Sequence, residues 1–130
     1  MSRRHFAAHF SVCAFLFAMA ATGASADPLS RGRLLFLRCA SCHDVSKSPS
    51  AKIGPNLYGV VGRRAGSLAG YGYSPAMKAQ TFVWTDAMLN RWLTKPTELV
   101  PGTAMAFSGV PDEADRAAII AFLKTAGTAP

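Results

Sequence analysis

Cysteine and histidine are scarce in this chain. Its 130 residues hold three of each, and Cys13, His5 and His9 all fall within the first 26, so the remainder has only Cys39, Cys42 and His43. Three such residues fall short of the four ligands of a closed zinc tetrahedron. A lone histidine also rules out two imidazoles on one metal within that remainder. Acidic residues are few, seven against fourteen Lys and Arg. The basic residues do not cluster: "GRR" at 62–64 is the densest spot, too short for a nucleic-acid-binding stripe. No stretch sustains the alternation of a strand, and no internal repeat or low-complexity tract is present. Large aliphatic residues are sparse, and there is no disulfide pair after residue 26 beyond Cys39 and Cys42 themselves. A small domain so equipped calls for a staple, a metal or a large cofactor.

The start of the chain reads as a secretory leader. Arg3 and Arg4 precede the apolar run "FSVCAFLFAMAA", then small residues and "ASA" mark a cut after Ala26. The run is short of the roughly 20 apolar residues of a spanning helix. The expectation is a cleaved signal peptide at residues 1–26 and one domain at 27–130, exported to an oxidising compartment, a bacterial periplasm. Arg3 and Arg4 leave with the leader, so twelve basic side chains then face seven acidic ones, a balance that favours an anionic partner or surface, although an ordinary solvated basic surface accounts for most of it.

Helical patterns and loops divide the rest. Ser30 is the expected cap of a short helix that ends in the cysteine motif, with Leu34, Leu35 and Phe36 as its apolar side. Gly32 shares a face with Phe36; a glycine there costs helix stability and points to a frayed end or a close crossing. Residues 44–73 are crowded with Gly, Pro, Ser and Asn and lack either periodicity, so they read as one long loop. So much loop in a small domain needs something to wrap around. "SPAMKA" opens with Ser74 as cap and Pro75 in the first helical position. Thr85 caps "DAMLNRWL", with Met88, Leu89, Trp92 and Leu93 on one face and a stop before Pro96. "PTELVPGTAMAFSGVP" reads as irregular. Asp112 caps a last helix whose buried stripe is Ala118, Ile119, Phe122, Leu123 and Ala126, ending at Gly127. The fold class expected is all-α, three to five short helices joined by long loops.

The stretch "CASCH" at 39–43 admits three chemistries. A redox dithiol sits at a helix start beside a βαβ sheet, but no sheet is predicted and the motif ends a helix. Zinc lacks ligands. Covalent haem attachment uses every part of C-x-x-C-H: two thiols add across vinyl groups and the histidine reaches the iron. The opposite face of that iron has Met77, Met88 and Met105, an amine, or an open site as candidates. Met88 lies on a helix face where core packing explains it. Met77 stands in a short turn. Met105 lies in the irregular segment "PGTAMAFSG", from which a soft thioether can approach iron without disturbing a helix.

The segments "GRLLFLRCASCH", "KIGPNLYGVVGRRAG", "GYGYSPAMK", "FVWTDAMLNRWLTKP", "PGTAMAF" and "RAAIIAFLK" together resemble the class I cytochromes c, in their small bacterial periplasmic and mitochondrial-like group. The likeness covers nearly all of residues 29–125. It implies one covalent haem c per chain, with thioethers from Cys39 and Cys42 and with His43 and Met105 as axial ligands. It also implies a pocket of Pro55, whose carbonyl orients His43, Arg63, Tyr73 and Trp84 around the haem propionates, Thr103 beside them, and Phe107 shielding the ring. Gly32 and Phe36 match the crossing of the first helix with the last, opposite Ile119 and Phe122. Trp92 stands where mitochondrial relatives have a tyrosine near the methionine sulfur, and Met77 where many have an asparagine. Of the lysines that ring the haem edge in those relatives, Arg38 and Lys52 keep the charge, whereas Thr97, Ala104, Pro111, Asp112 and Glu113 do not. The implied role is a monomeric one-electron carrier, not an enzyme, between a quinol-oxidising complex and a terminal oxidase or photosynthetic reaction centre, without nucleic-acid binding or stable membrane insertion. The alternatives are the electron-accepting subunit of a periplasmic dehydrogenase, and a haem enzyme or gas sensor with an open sixth position.

Overall fold

In the computed structural model, residues 27–126 are described. The expected leader, with Cys13, His5 and His9, and the expected stop at Gly127 lie outside them. Five helices follow in order: α1 (Pro28–Phe36), α2 (Pro75–Lys78), α3 (Asp86–Thr94), α4 (Pro96–Leu99) and α5 (Glu113–Ala126). Among the described residues the only strand-like pairing is an isolated antiparallel bridge between Arg64 and Val83, so the fold is all-α.

The N-terminus of α1 is set one turn earlier than expected. Asp27, not Ser30, is the cap: its carboxylate accepts the Ser30 N–H at 3.1 Å, and Pro28 takes a first-turn position where its missing N–H is harmless. The apolar side is also narrower than the run of three suggests. Phe36 is buried and Leu35 half-buried, but Leu34 is 67 % exposed, because consecutive helical residues point about 100° apart.

α1 lies against α5 with almost no space at Gly32. A Cβ there would sit 2.0 Å from the Ala118 carbonyl oxygen and 2.9 Å from Phe122 Cβ. Above that contact Phe36 and Phe122 pack with ring centroids 5.2 Å apart. Arg31 pairs with Asp115, and the Arg33 guanidinium lies 5.6 Å from the Phe122 ring centroid. Thr85 caps α3 by accepting the Met88 N–H at 3.2 Å, and α3 buries Leu89, Trp92 and Leu93. Asp112 Oδ1 accepts the Asp115 N–H at 2.8 Å and so caps α5. That helix buries Arg116 and Ile120 as well as Ala118, Ile119, Phe122 and Leu123, while Ala126 is half-buried. The broader stripe follows from α5 packing on α1 and α3 at once.

The segment after α3 was expected to be irregular, yet α4 forms in it. The ring of Pro96 fixes φ near the helical value, and the Val100 N–H closes the turn on the Pro96 carbonyl at 2.9 Å. Residues 44–73 hold no helix, as their composition predicts. Their far end is tied to residues 82–84: Trp84 N–H donates to Arg63 O, Gly62 N–H to Trp84 O and Ala65 N–H to Phe82 O, each at 2.9 Å.

Candidate haem site

The cysteine motif leaves α1 as a tight turn. Cys42 N–H and His43 N–H both donate to the Cys39 carbonyl, at 3.0 and 2.9 Å. Such short-range bonds hold Cys39, Cys42 and His43 in one compact turn. Both thiols are free and half-buried. Burial pushes the Cys39 thiol up, more than the Arg38 charge draws it down, and Cys42 adds to the rise. The reactive thiol of a dithiol exchange centre has the opposite shift.

The loop returns across this turn and clasps it. Gly54 N–H donates to Cys42 O and Leu57 N–H to Asp44 O, each at 2.7 Å, while Lys52 Nζ donates to Ala40 O. His43 Nδ1 lies 2.8 Å from the Pro55 carbonyl oxygen. A carbonyl only accepts, so Nδ1 carries the hydrogen and Nε2 the lone pair. Burial lowers the His43 pKa, against a smaller upward pull from the Pro55 bond, and the Lys52 charge lowers it further. The shift favours the neutral imidazole, in which Nε2 is the nitrogen available to a metal. Gly54 completes the cradle: a Cβ there would sit 2.5 Å from His43 Cε1.

Aromatic groups wall the interior. Trp84 packs edge-on against Phe82 and Trp92, with centroids 4.9 and 5.4 Å away. Cys39, Tyr73, Met105 and Phe107 all pack, half-buried, against the cluster that contains Phe36, Trp84 and Trp92. Arg63 places its guanidinium on Asn56 O at 2.9 Å and Tyr58 O at 3.2 Å. Burial lowers the Arg63 pKa and raises that of the Tyr73 hydroxyl, and each feels the other's charge. Thr103 Oγ1 accepts the Met105 N–H at 3.3 Å, and Phe107 N–H donates to Met105 O at 3.1 Å.

The other two candidate methionines have occupations of their own. Met77 is buried in the core, and Met88 Sδ lies 4.0 Å from Arg91 Nη1. Sequence reasoning did not single out Gly54, whose need for hydrogen in place of a side chain appears only when His43 folds over it. It also missed Arg116, which reads as an ordinary surface cation in a helix. Among the described residues no three His, Cys, Asp or Glu side chains gather as a metal cage, and no helix is long and apolar enough to cross a membrane. The donor set of two thiols on one turn, an anchored imidazole and an aromatic wall fits a covalently attached haem.

Comparison with known proteins agrees. The family model described as cytochrome c matches residues 29–127. A cytochrome c of Theileria annulata is 44 % identical over 102 residues, covering 78 % of this chain and 88 % of its own. A cytochrome c2 of Rhodoblastus acidophilus is 42 % identical over 97 residues, covering 75 % and 90 %. Among solved structures, cytochrome cH from Methylobacterium extorquens matches with a TM-score of 0.69 at 41 % identity, covering 75 % of this chain and 97 % of that one.

Proposed function

The chain belongs to the cytochrome c family of single-haem electron carriers, and from that premise we propose that it shuttles single electrons between extracytoplasmic redox complexes with His43 and Met105 as axial ligands. Bound through Cys39 and Cys42, the haem supplies a one-electron iron couple. The protein's part is to hold and insulate. The 2.8 Å bond from His43 Nδ1 to the Pro55 carbonyl carries the reading, because it commits one nitrogen and leaves Nε2 to the iron. Pinning the ring in this way also strengthens the donation from Nε2. Met105, a thioether in a loop packed against the aromatic cluster, suits the opposite side and favours the reduced state.

Arg63, Tyr73 and Trp84 would donate to the propionates, whose burial without donors is costly. Thr103 sits beside them in this reading, and Trp92 and Phe107 help exclude water. With His43 and Met105 both holding the iron, peroxide and gases would find no free coordination position. The donor would be a quinol-oxidising complex and the acceptor a terminal oxidase or photosynthetic reaction centre. The protein would work as a monomer in the periplasm, after removal of residues 1–26.

Absorption spectroscopy of the purified ferric protein tests the ligation. The weak far-red charge-transfer band of thioether-ligated iron should be present and should vanish in Met105→Ala, with the reduction potential lowered on the order of 0.1 V or more. High-spin iron with rapid carbon monoxide binding in the unaltered protein would instead mark an open site. Co-purification with one dehydrogenase at low salt would favour a dedicated subunit over a shuttle.

A further inference from the structure

Among the described residues one charged side chain is buried: Arg116, near the start of α5 and 8 % exposed. Its guanidinium makes three hydrogen bonds, all to neutral oxygens. Nε donates to Asn90 Oδ1 at 2.7 Å, and Nη1 donates to Val110 O at 2.9 Å and to Pro111 O at 2.7 Å. A buried cation is costly without hydrogen bonds, and here Nε and Nη1 are compensated by those oxygens. The group is therefore a rigid tie between α5, α3 and residues 110–111.

Those two residues end the loop that carries Thr103, Met105 and Phe107. The same end meets α3 directly. Val110 N–H donates to Leu93 O at 2.7 Å, and Gly109, at φ +107, runs so close that a Cβ would lie 2.0 Å from Thr94 O. The other end is tied at Val100, whose N–H donates to Pro96 O at 2.9 Å and whose carbonyl accepts the Thr103 N–H at 3.0 Å. Between the two anchors Met105 is held by short-range bonds, from its N–H to Thr103 Oγ1 and from Phe107 N–H to its carbonyl. How far the thioether can move is thus decided at the anchors.

We propose that Arg116 is a positioning residue for Met105, latching the exit of the methionine loop and so setting how readily the thioether leaves the iron. The proposal rests on the reading of Met105 as an axial ligand. A loop closed at both ends has few conformations; loosening one end, where without Arg116 only the Val110–Leu93 bond and the Gly109 contact remain, widens its ensemble and would raise the population in which the sixth position is open. An external ligand reports that population directly, since its apparent affinity scales with the competent fraction.

The test is imidazole binding to the ferric holoprotein, with amide hydrogen exchange at residues 104–108 as a second readout. Arg116→Lys and Arg116→Gln should bind imidazole about tenfold more tightly, reflecting a tenfold larger open population, and should exchange faster at 104–108. Asn90→Ala, which removes the bond to Nε alone, should shift both in the same direction by less, and it serves if the Arg116 variants fold poorly. Phe122→Leu, which weakens the remote α1–α5 crossing, is the control for general destabilisation, compared at its own urea midpoint. Unchanged affinity in the Arg116 and Asn90 variants overturns the latch. So does a gain no larger than Phe122→Leu gives for the same loss of stability. If Met105→Ala leaves the unaltered protein's spectrum and imidazole affinity as they were, the axial reading itself fails, independently of Arg116.

Discussion

The His43 ring is oriented by one bond, from Nδ1 to the Pro55 carbonyl, and boxed by one absent side chain, at Gly54. Gly54→Ala places a methyl 2.5 Å from Cε1 and 2.8 Å from the Cys42 carbonyl, where backbone and ring must shift together. The expected cost is about 1–3 kcal/mol, the range for overpacking, with less haem attached per chain; a urea melt and the haem-to-protein absorbance ratio measure both. Next to His43, Asp44 organises the start of the loop: its carboxylate accepts the N–H groups of Val45 at 2.7 Å, Ser46 at 3.0 Å and Ser50 at 3.1 Å. The bonds from Ser46 and then Ser50 foremost hold its pKa far below the ordinary 3.8. The folded state thus favours the anion, so the stabilisation is complete above pH 3.8 and fades as pH falls toward the depressed value. Asp44→Asn should show a flatter acid limb below that pH in a circular dichroism titration, and an unaltered limb would remove Asp44 from the account. That Cys39, Cys42 and His43 gather in one turn was legible from their spacing. The roles of Gly54 and Asp44 were not, because each depends on what the returning loop brings against it.

At the scale of elements, the crossing of α1 and α5 is the tightest contact. In an isolated helix Gly32→Ala would gain about 1 kcal/mol. Here the added methyl meets the Ala118 carbonyl at 2.0 Å, and helix backbones cannot yield as a flexible side chain would. The net outcome expected is a loss of about 2 kcal/mol, read from the urea midpoint, with the Phe36–Phe122 contact loosened. Asp27→Ala removes the cap on α1 and should cost about 1 kcal/mol; Ser30→Ala should cost less, since the main-chain N–H of Ser30 remains the donor in that bond. Four of the five helices follow from periodicity and caps, with α1 capped at Asp27, three residues before the expected Ser30. The fifth, α4, is a four-residue turn like α2 but has no side-chain cap, so neither a period nor a capping residue marks it. The exposure of Leu34 was equally illegible: its neighbours are apolar, and only docking on α5 decides which side of α1 faces inward.

The whole molecule carries more positive than negative charge after residue 26, yet the charges are scattered and several are engaged. Arg31 pairs with Asp115, Lys95 with Glu98 at 2.6 Å and Lys124 with Asp86 at 2.8 Å. Electron transfer to an acidic partner should slow as salt rises from 0.01 to 0.15 M, roughly the range over which the screening length shortens from about 30 to 8 Å. Arg38→Glu should slow it several-fold at the low-salt end and little at the high; stopped-flow mixing with a terminal oxidase measures both, and a salt-independent rate would exclude charge steering. By itself the sequence determined the helical class, the family and the covalent haem c that the family carries, because these reside in residue types and their spacing along the chain. Tertiary structure alone decided that Gly54 tolerates no side chain beside His43, and that Arg116 ties the end of the Met105 loop to α3 and α5. Each of these depends on atoms far apart in the chain, brought within hydrogen-bond or van der Waals reach only when the helices pack, and no local pattern encodes that distance.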